Sequence, residues 1–190
     1  MTITTPPDAV VLAATQQWLE KAVIGLNLCP FANAVHVKKQ IRYAISDATS
    51  ARDLHSDLLR ELTLLLETDP QEIETTLLVH PGVLTDFLDF NDFLDVADAL
   101  LEELNADGTL QVASFHPDYQ FAGTKPDDIE NYTNRSPYPI LHLLREESID
   151  RAIEVFSDTD DIYHKNMETL NALGLDGWRK LFAEKSKVGD

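Results

Sequence analysis

Residues Thr75–Pro117 read TTLLVHPGVLTDFLDFNDFLDVADALLEELNADGTLQVASFHP. The stretch opens on a short apolar run, Thr75–Val79, and closes on another, Leu110–Phe115. Each run stops at a His-Pro pair, His80-Pro81 and His116-Pro117. Between them Phe87, Phe90, Leu94, Ala97, Leu101 and Leu104 recur with helical spacing, which predicts a helix from about Leu84 to Asn105. Asp107-Gly108 marks the turn back. A strand, a crossover helix and a second strand make the unit that builds a parallel pair.

The same alternation extends upstream. Ser50 opens a helix whose apolar stripe, Leu54, Leu58, Leu62, Leu65 and Leu66, runs to about Thr68. Ahead of it Val35–Ile45 (VHVKKQIRYAI) mixes β-branched and aromatic residues with cations and reads as a strand with one wet face. Asp8 can cap a first helix running to about Leu28, ended by Cys29-Pro30 because proline disfavours helix in the residue before it. Residues 1–7 read as a flexible tail.

Downstream the periodicity breaks. Residues 118–139 form a loop too long to be a simple connection, and long ordered loops are usually functional. Tyr119, Phe121, Tyr132 and Tyr138 are anchors that a disordered segment would lack. Helices near 148–156 and 160–173 follow, the second stopped by Gly174, and Asp176 can cap a last one carrying Trp178, Leu181 and Phe182. The expected fold is a single α/β domain over residues 1–190. Its sheet is small, mainly parallel and flanked by helices, and the C-terminal region is helical. If Leu141–Leu144 is extended it adds an edge strand, for which a ferredoxin-like arrangement is one form.

Composition bounds what such a domain can do. The chain has 190 residues, 33 of them acidic against 15 Lys and Arg, for a net charge of −18. That balance argues against nucleic acid, whose binding rests on basic side chains, and against an anionic membrane surface. No apolar run approaches the ~18 residues that a span needs. No basic region followed by an apolar stretch marks a secretory signal. The one cysteine, Cys29, excludes an internal disulfide and fits a cytoplasmic protein.

Three segments are distinctive as motifs: Ile24–Ala32 (IGLNLCPFA), Asp86–Asp95 (DFLDFNDFLD) and, most specific, Phe115–Ala152 (FHPDYQFAGTKPDDIENYTNRSPYPILHLLREESIDRA). Together they resemble the family catalogued as domain of unknown function 1415, from bacteria and plants, and the resemblance covers nearly the whole chain. It implies no catalytic role for any residue, so the site has to be argued from chemistry.

His116 ends a strand expected at the centre of a parallel sheet, and ligands of open α/β sheets bind beyond the carboxyl ends of the strands. The plainer alternative is a histidine that holds a loop carbonyl. Asn131, Asn134, Arg135 and Ser136 crowd hydrogen-bonding side chains into a few residues, and arginine's planar fork suits carboxylate or phosphate. Alternatively Arg135 pairs with Asp127 or Asp128 and merely ties down the loop. His142 and Arg145 share a face if their stretch is helical, with Glu146 one turn beyond His142, an arrangement that suits a general base.

His116, His142 and Asp118, with His80, form a candidate set for a divalent metal, although no compact ligand spacing supports it. Cys29 at a helix C-terminus favours a structural thiol, since the dipole there raises its pKa. The aspartates at positions 86, 89, 92, 95 and 98 drift around their helix and make no single cation site.

The leading expectation is an enzyme acting on a small anionic metabolite. His116, His142 and Asp118 would be catalytic, and Asn131, Asn134, Arg135, Ser136 and Arg145 would bind the ligand at the carboxyl edge of the sheet. The alternatives are a binding protein using the same pocket without chemistry, and an acidic interaction module that docks a basic partner.

Overall fold

The computed structural model describes residues 5–150 and 159–183. The first four residues of the expected tail and most of the helix expected near 148–156 lie outside the described residues; residues 146–150 are helical. Thr5 lies beside Gly82.

Four strands make one sheet: β1 (Ile41–Ile45), β2 (Thr75–Val79), β3 (Leu110–Phe115) and β4 (Ile140–Arg145). Their order is β1-β2-β4-β3. β1 and β2 pair in parallel, while β4 runs antiparallel to both β2 and β3. The sheet is therefore mixed rather than mainly parallel. β4 is interior instead of an edge strand, and β3, expected at the centre, is the edge.

Burial explains the exchange. Ile140, Leu141 and Leu143 of β4 are fully buried, and consecutive apolar residues need cover on both faces of the sheet. β3 carries an exposed Gln111, which an edge tolerates. This order and the parallel β1–β2 pair do not confirm a ferredoxin-like arrangement.

The helices α3 (Ala51–Glu67) and α4 (Phe87–Glu103) cover one face. Leu54, Leu58 and Leu62 of α3 and Phe90, Phe93 and Leu100 of α4 close there on Leu78, Leu141 and Leu143. Both helices start on side-chain caps. Ser50 accepts from the Asp53 amide, and Asp86 from the amides of Leu88 and Asp89, satisfying donors that a helix start leaves open. Arg42 reaches from β1 across this face to Glu61 at 2.7 Å, which is how a buried carboxylate is tolerated on α3.

The other face meets α1 (Asp8–Trp18), the π-helical segment Leu19–Ile24 that continues it, and the end of α5 (Thr159–Phe182). α5 is broken at Gly174, where φ is 65°, in keeping with that glycine as a helix stop. Among the described residues no helix is long and apolar enough to cross a membrane.

Two boundaries on this face differ from expectation. Val35 and Val37 are helical, in α2 (Ala32–Val37), and only Ile41–Ile45 is extended. Between them Lys39 takes a positive φ of 58°, and the buried Gln40 side chain donates to the carbonyls of Pro70 and Gln71. That anchor, more than β-propensity, decides where β1 begins.

The first helix ends early because its last turns widen. The Gly25 amide bonds back five residues to Glu20, the π pattern, and the Lys21 carbonyl then crowds position 25. A Cβ on Gly25 would lie 2.4 Å from that oxygen. Gly25→Ala is therefore expected to cost about 1–3 kcal/mol, the usual range for overpacking, read as a lower denaturant midpoint. An unchanged midpoint would mean that the wide turn relaxes freely.

Candidate functional site

Because side chains alternate along a strand, the expected site divides between the two faces of the sheet. His116 follows Phe115 and turns toward α4, where its ring lies 5.1 Å from that of Phe90 and 5.5 Å from that of Phe87. It is fully buried, and both ring nitrogens are engaged. Nδ1 accepts from the Asp118 amide at 3.0 Å, and Nε2–H donates to the Leu84 carbonyl at 3.2 Å. Burial lowers its pKa. His116 is thus the loop-holding histidine of the plainer alternative.

His142 lies on the opposite face, flanked in register by Leu77 and Ala113. Arg145 is farther still. It pairs with Leu110 at one end of β3, whereas His116 follows the other end, about 17 Å away at the rise of a strand. Its Nη2 donates to the carbonyls of Leu65, Thr68 and Ile73, closing the end of α3 with a cation. His142 and Arg145 belong to a strand and not to a helix, so the shared helical face with Glu146 does not exist.

The loop residues mostly serve the loop. Asn131 is buried; its Oδ1 accepts from the Phe121 amide and the Thr124 hydroxyl, and its Nδ2 donates to the Lys125 carbonyl. Asn134 extends the pairing of the β3 edge, accepting the His116 amide and donating to the Ser114 carbonyl. Ser136 donates to the Tyr138 carbonyl.

Arg135 does hold the loop, through the carbonyls of Tyr119 and Pro126 rather than through Asp127 or Asp128. Its guanidinium also lies 4.5 Å from the Tyr132 ring centroid. Arg135 and Ser136 do face space, in a cleft of about 380 Å³ shared with Trp18, Tyr132 and Trp178. Asp118 is exposed beside His116, on the far side of the sheet from His142. Among the described residues no three His, Cys, Asp or Glu side chains gather as metal ligands would.

A second cavity, of about 260 Å³, lies between the sheet and the α1–α2 layer. Its floor is Leu77, Ala113, Phe115, His142 and Leu144, and its roof includes Trp18, Val23, Phe31 and Val35. Two sequence features open it. Ala113 projects only a methyl group between larger neighbours, and the π segment directs Leu19 and Val23 onto the same side. Cys29 also faces it; burial pushes the thiol pKa up, so a neutral thiol, not a nucleophile, lines the wall. At one end stand Glu74, Arg145 and Ser148, with Ser148 hydrogen-bonded to Glu74.

His142 is the polar group on this floor. Its Nε2 lies 2.8 Å from Thr75 Oγ1, and the Thr75 hydroxyl donates at 2.6 Å to the Leu143 carbonyl. A hydroxyl has one proton. With that proton committed to a carbonyl, Oγ1 can only accept, so the imidazole carries its hydrogen on Nε2. Nδ1 is left as a lone-pair acceptor and makes no hydrogen bond among the described residues. Burial pushes the ring pKa down to about 4, which keeps it neutral at physiological pH.

Thr75 went unnoticed because it sits inside an apolar strand. The strand alternative for Leu141–Leu144 carried the signal, since alternation along a strand puts His142 on the face opposite to Leu141 and Leu143.

No curated protein and no solved structure matches the chain. A family model does, over residues 10–180, a range that includes all three segments that carry the resemblance. The chain belongs to the family described as Protein of unknown function (DUF1415).

Proposed function

We propose that the protein binds a compact, mainly apolar small molecule in the cavity between the sheet and the α1–α2 layer, without chemistry. The carrying observation is that cavity of about 260 Å³, walled mainly by aromatic and aliphatic side chains, with a neutral imidazole on its floor and Glu74, Arg145 and Ser148 at one end. Few polar groups in an apolar concavity is the usual composition of a ligand site. Acid–base catalysis has less support: a ring with a pKa near 4 is a weak base at neutral pH, and the other expected base, His116, has both nitrogens occupied.

The test is amide chemical-shift mapping with small aromatic molecules, with and without an N–H or O–H, in the wild type and in Ala113→Leu, whose larger side chain fills the floor. Shifts at Trp18, Phe31 and Ala113 that vanish in the folded variant support the reading. Shifts that persist in it, or none at all, sink it.

A small anionic ligand keeps a second reading, at the Arg135 cleft. What favours it is that the guanidinium has no carboxylate partner among the described residues of a chain with net charge −18. Arg135→Lys would keep the charge but lose the fork; it is expected to weaken binding of a planar dicarboxylate such as phthalate about tenfold. Equal affinity in calorimetry would remove this reading.

A further inference from the structure

Resting on the reading of the cavity as a ligand site, we infer that its ligand presents a hydrogen-bond donor, an N–H or O–H, to Nδ1 of His142, and that Thr75 enforces this choice. The inference follows from a chain of three groups. The Leu143 carbonyl can only accept, and it lies 2.6 Å from the Thr75 hydroxyl. That hydroxyl must then accept from His142 Nε2–H at 2.8 Å. The proton cannot move to Nδ1 without leaving two acceptors facing each other at hydrogen-bond distance, so Nδ1 offers only a lone pair.

An apolar molecule would cover that lone pair without satisfying it. A molecule with its own acceptor there would face it directly. A donor is the only polar group the position rewards.

Size narrows the class. A cavity of about 150 Å³ holds benzene, so one of about 260 Å³ suits roughly a bicyclic ring system. The walls suit it too, since the Trp18 and Phe115 rings meet edge to face at 5.1 Å and present aromatic surface to whatever lies between roof and floor. The chemical class is a flat, uncharged bicycle with one ring N–H or hydroxyl, for which indole is the simplest probe. Naphthalene has nearly the same shape without the donor, and quinoline replaces the donor by an acceptor.

The experiment is calorimetric titration of the full chain with these three probes, in the wild type, Thr75→Val and Ala113→Leu. A long-range proton–nitrogen spectrum reports the His142 tautomer directly. The wild type should bind indole about ten- to a hundredfold more tightly than naphthalene or quinoline, the range expected when a buried polar group is left unpaired. Its spectrum should show Nε2 protonated.

Thr75→Val frees the ring to place its proton on either nitrogen, and should bring indole and quinoline within a few-fold of each other. A merely structural threonine would weaken all three probes alike. Equal binding of all three by the wild type, or a proton on Nδ1, overturns the donor rule while the cavity reading stands. Loss of all three probes in folded Ala113→Leu is expected on both counts. No binding by the wild type overturns both.

Discussion

Acidification from pH 7 to 4 is expected to remove several kcal/mol from the stability of this fold, with His80 contributing the largest share. His80 is fully buried and stacks on Phe90 with ring centroids 5.6 Å apart. Its Nδ1–H donates to the Val83 carbonyl at 3.0 Å, while Nε2 is buried with no partner. A second proton would have to sit on Nε2, as a charge without an acceptor and near the His116 ring. Burial pushes the pKa from 6.5 down to about 4. The unfolded chain binds the proton near 6.5 and the folded chain only near 4. Stability is therefore complete above about pH 6.5, falls across the interval and levels off below about 4.

At about 1.4 kcal/mol per pKa unit, His80 alone carries roughly 3 kcal/mol. His142, also lowered to about 4, keeps a side that water can reach and adds less. His116 is lowered by burial too, partly offset by the nearby charges of Asp118 and Asp86. Urea midpoints taken between pH 7.5 and 4 measure the total. His80→Asn, whose amide can still donate toward the Val83 carbonyl, should start less stable at pH 7 and lose less on acidification. The same acid slope in both proteins would remove His80 from the account. Ligand binding by the folded protein should persist through most of that interval and fail only near pH 4, where a proton on His142 Nδ1 takes away the acceptor.

Helices and strands with a strong period were legible in the sequence. The α3 and α4 stripes and the two strands around them lie where their spacing places them, because each repeats one pattern over several turns. Sheet order was not legible. Whether Ile140–Arg145 lies at an edge or inside depends on pairings made across distant stretches of chain, and local pattern carries no such information. That one uncertainty decided the site. Placing β4 inside the sheet moved His116 to the edge and set His142 on the opposite face, so the two histidines could not share a ligand.

The loop misled for a different reason. Amides and an arginine in an irregular segment read as a binding constellation, but backbone groups without a ladder need the same side chains as partners. Asn131 and Arg135 spend their hydrogen bonds on carbonyls and an amide of the same loop, none more than 16 residues away along the chain.

Asn131→Leu should therefore cost about 3–4 kcal/mol, more than any substitution at the Arg135 cleft. The side chain is fully buried, and both of its ends are used: Oδ1 by the Phe121 amide at 3.0 Å and the Thr124 hydroxyl at 2.8 Å, Nδ2 by the Lys125 carbonyl at 2.7 Å. Leucine keeps the branching and the number of heavy atoms and removes all three bonds. The Thr124 hydroxyl still has the Phe121 carbonyl, so the orphans are one backbone N–H and one backbone C=O, each costing about 1–3 kcal/mol if they stay dry. The loop can escape that cost only by opening to water, which would release Tyr119 and Pro126 and with them both acceptors of Arg135. Faster hydrogen exchange at the Phe121 amide would report that opening, alongside the lower midpoint. Indole titration of the folded fraction should be unchanged, because the cavity above Ala113 and His142 is built from other elements. Wild-type protection at Phe121 in the variant would mean that the Arg135 bonds suffice, and that the carboxamide is not what holds the loop in place.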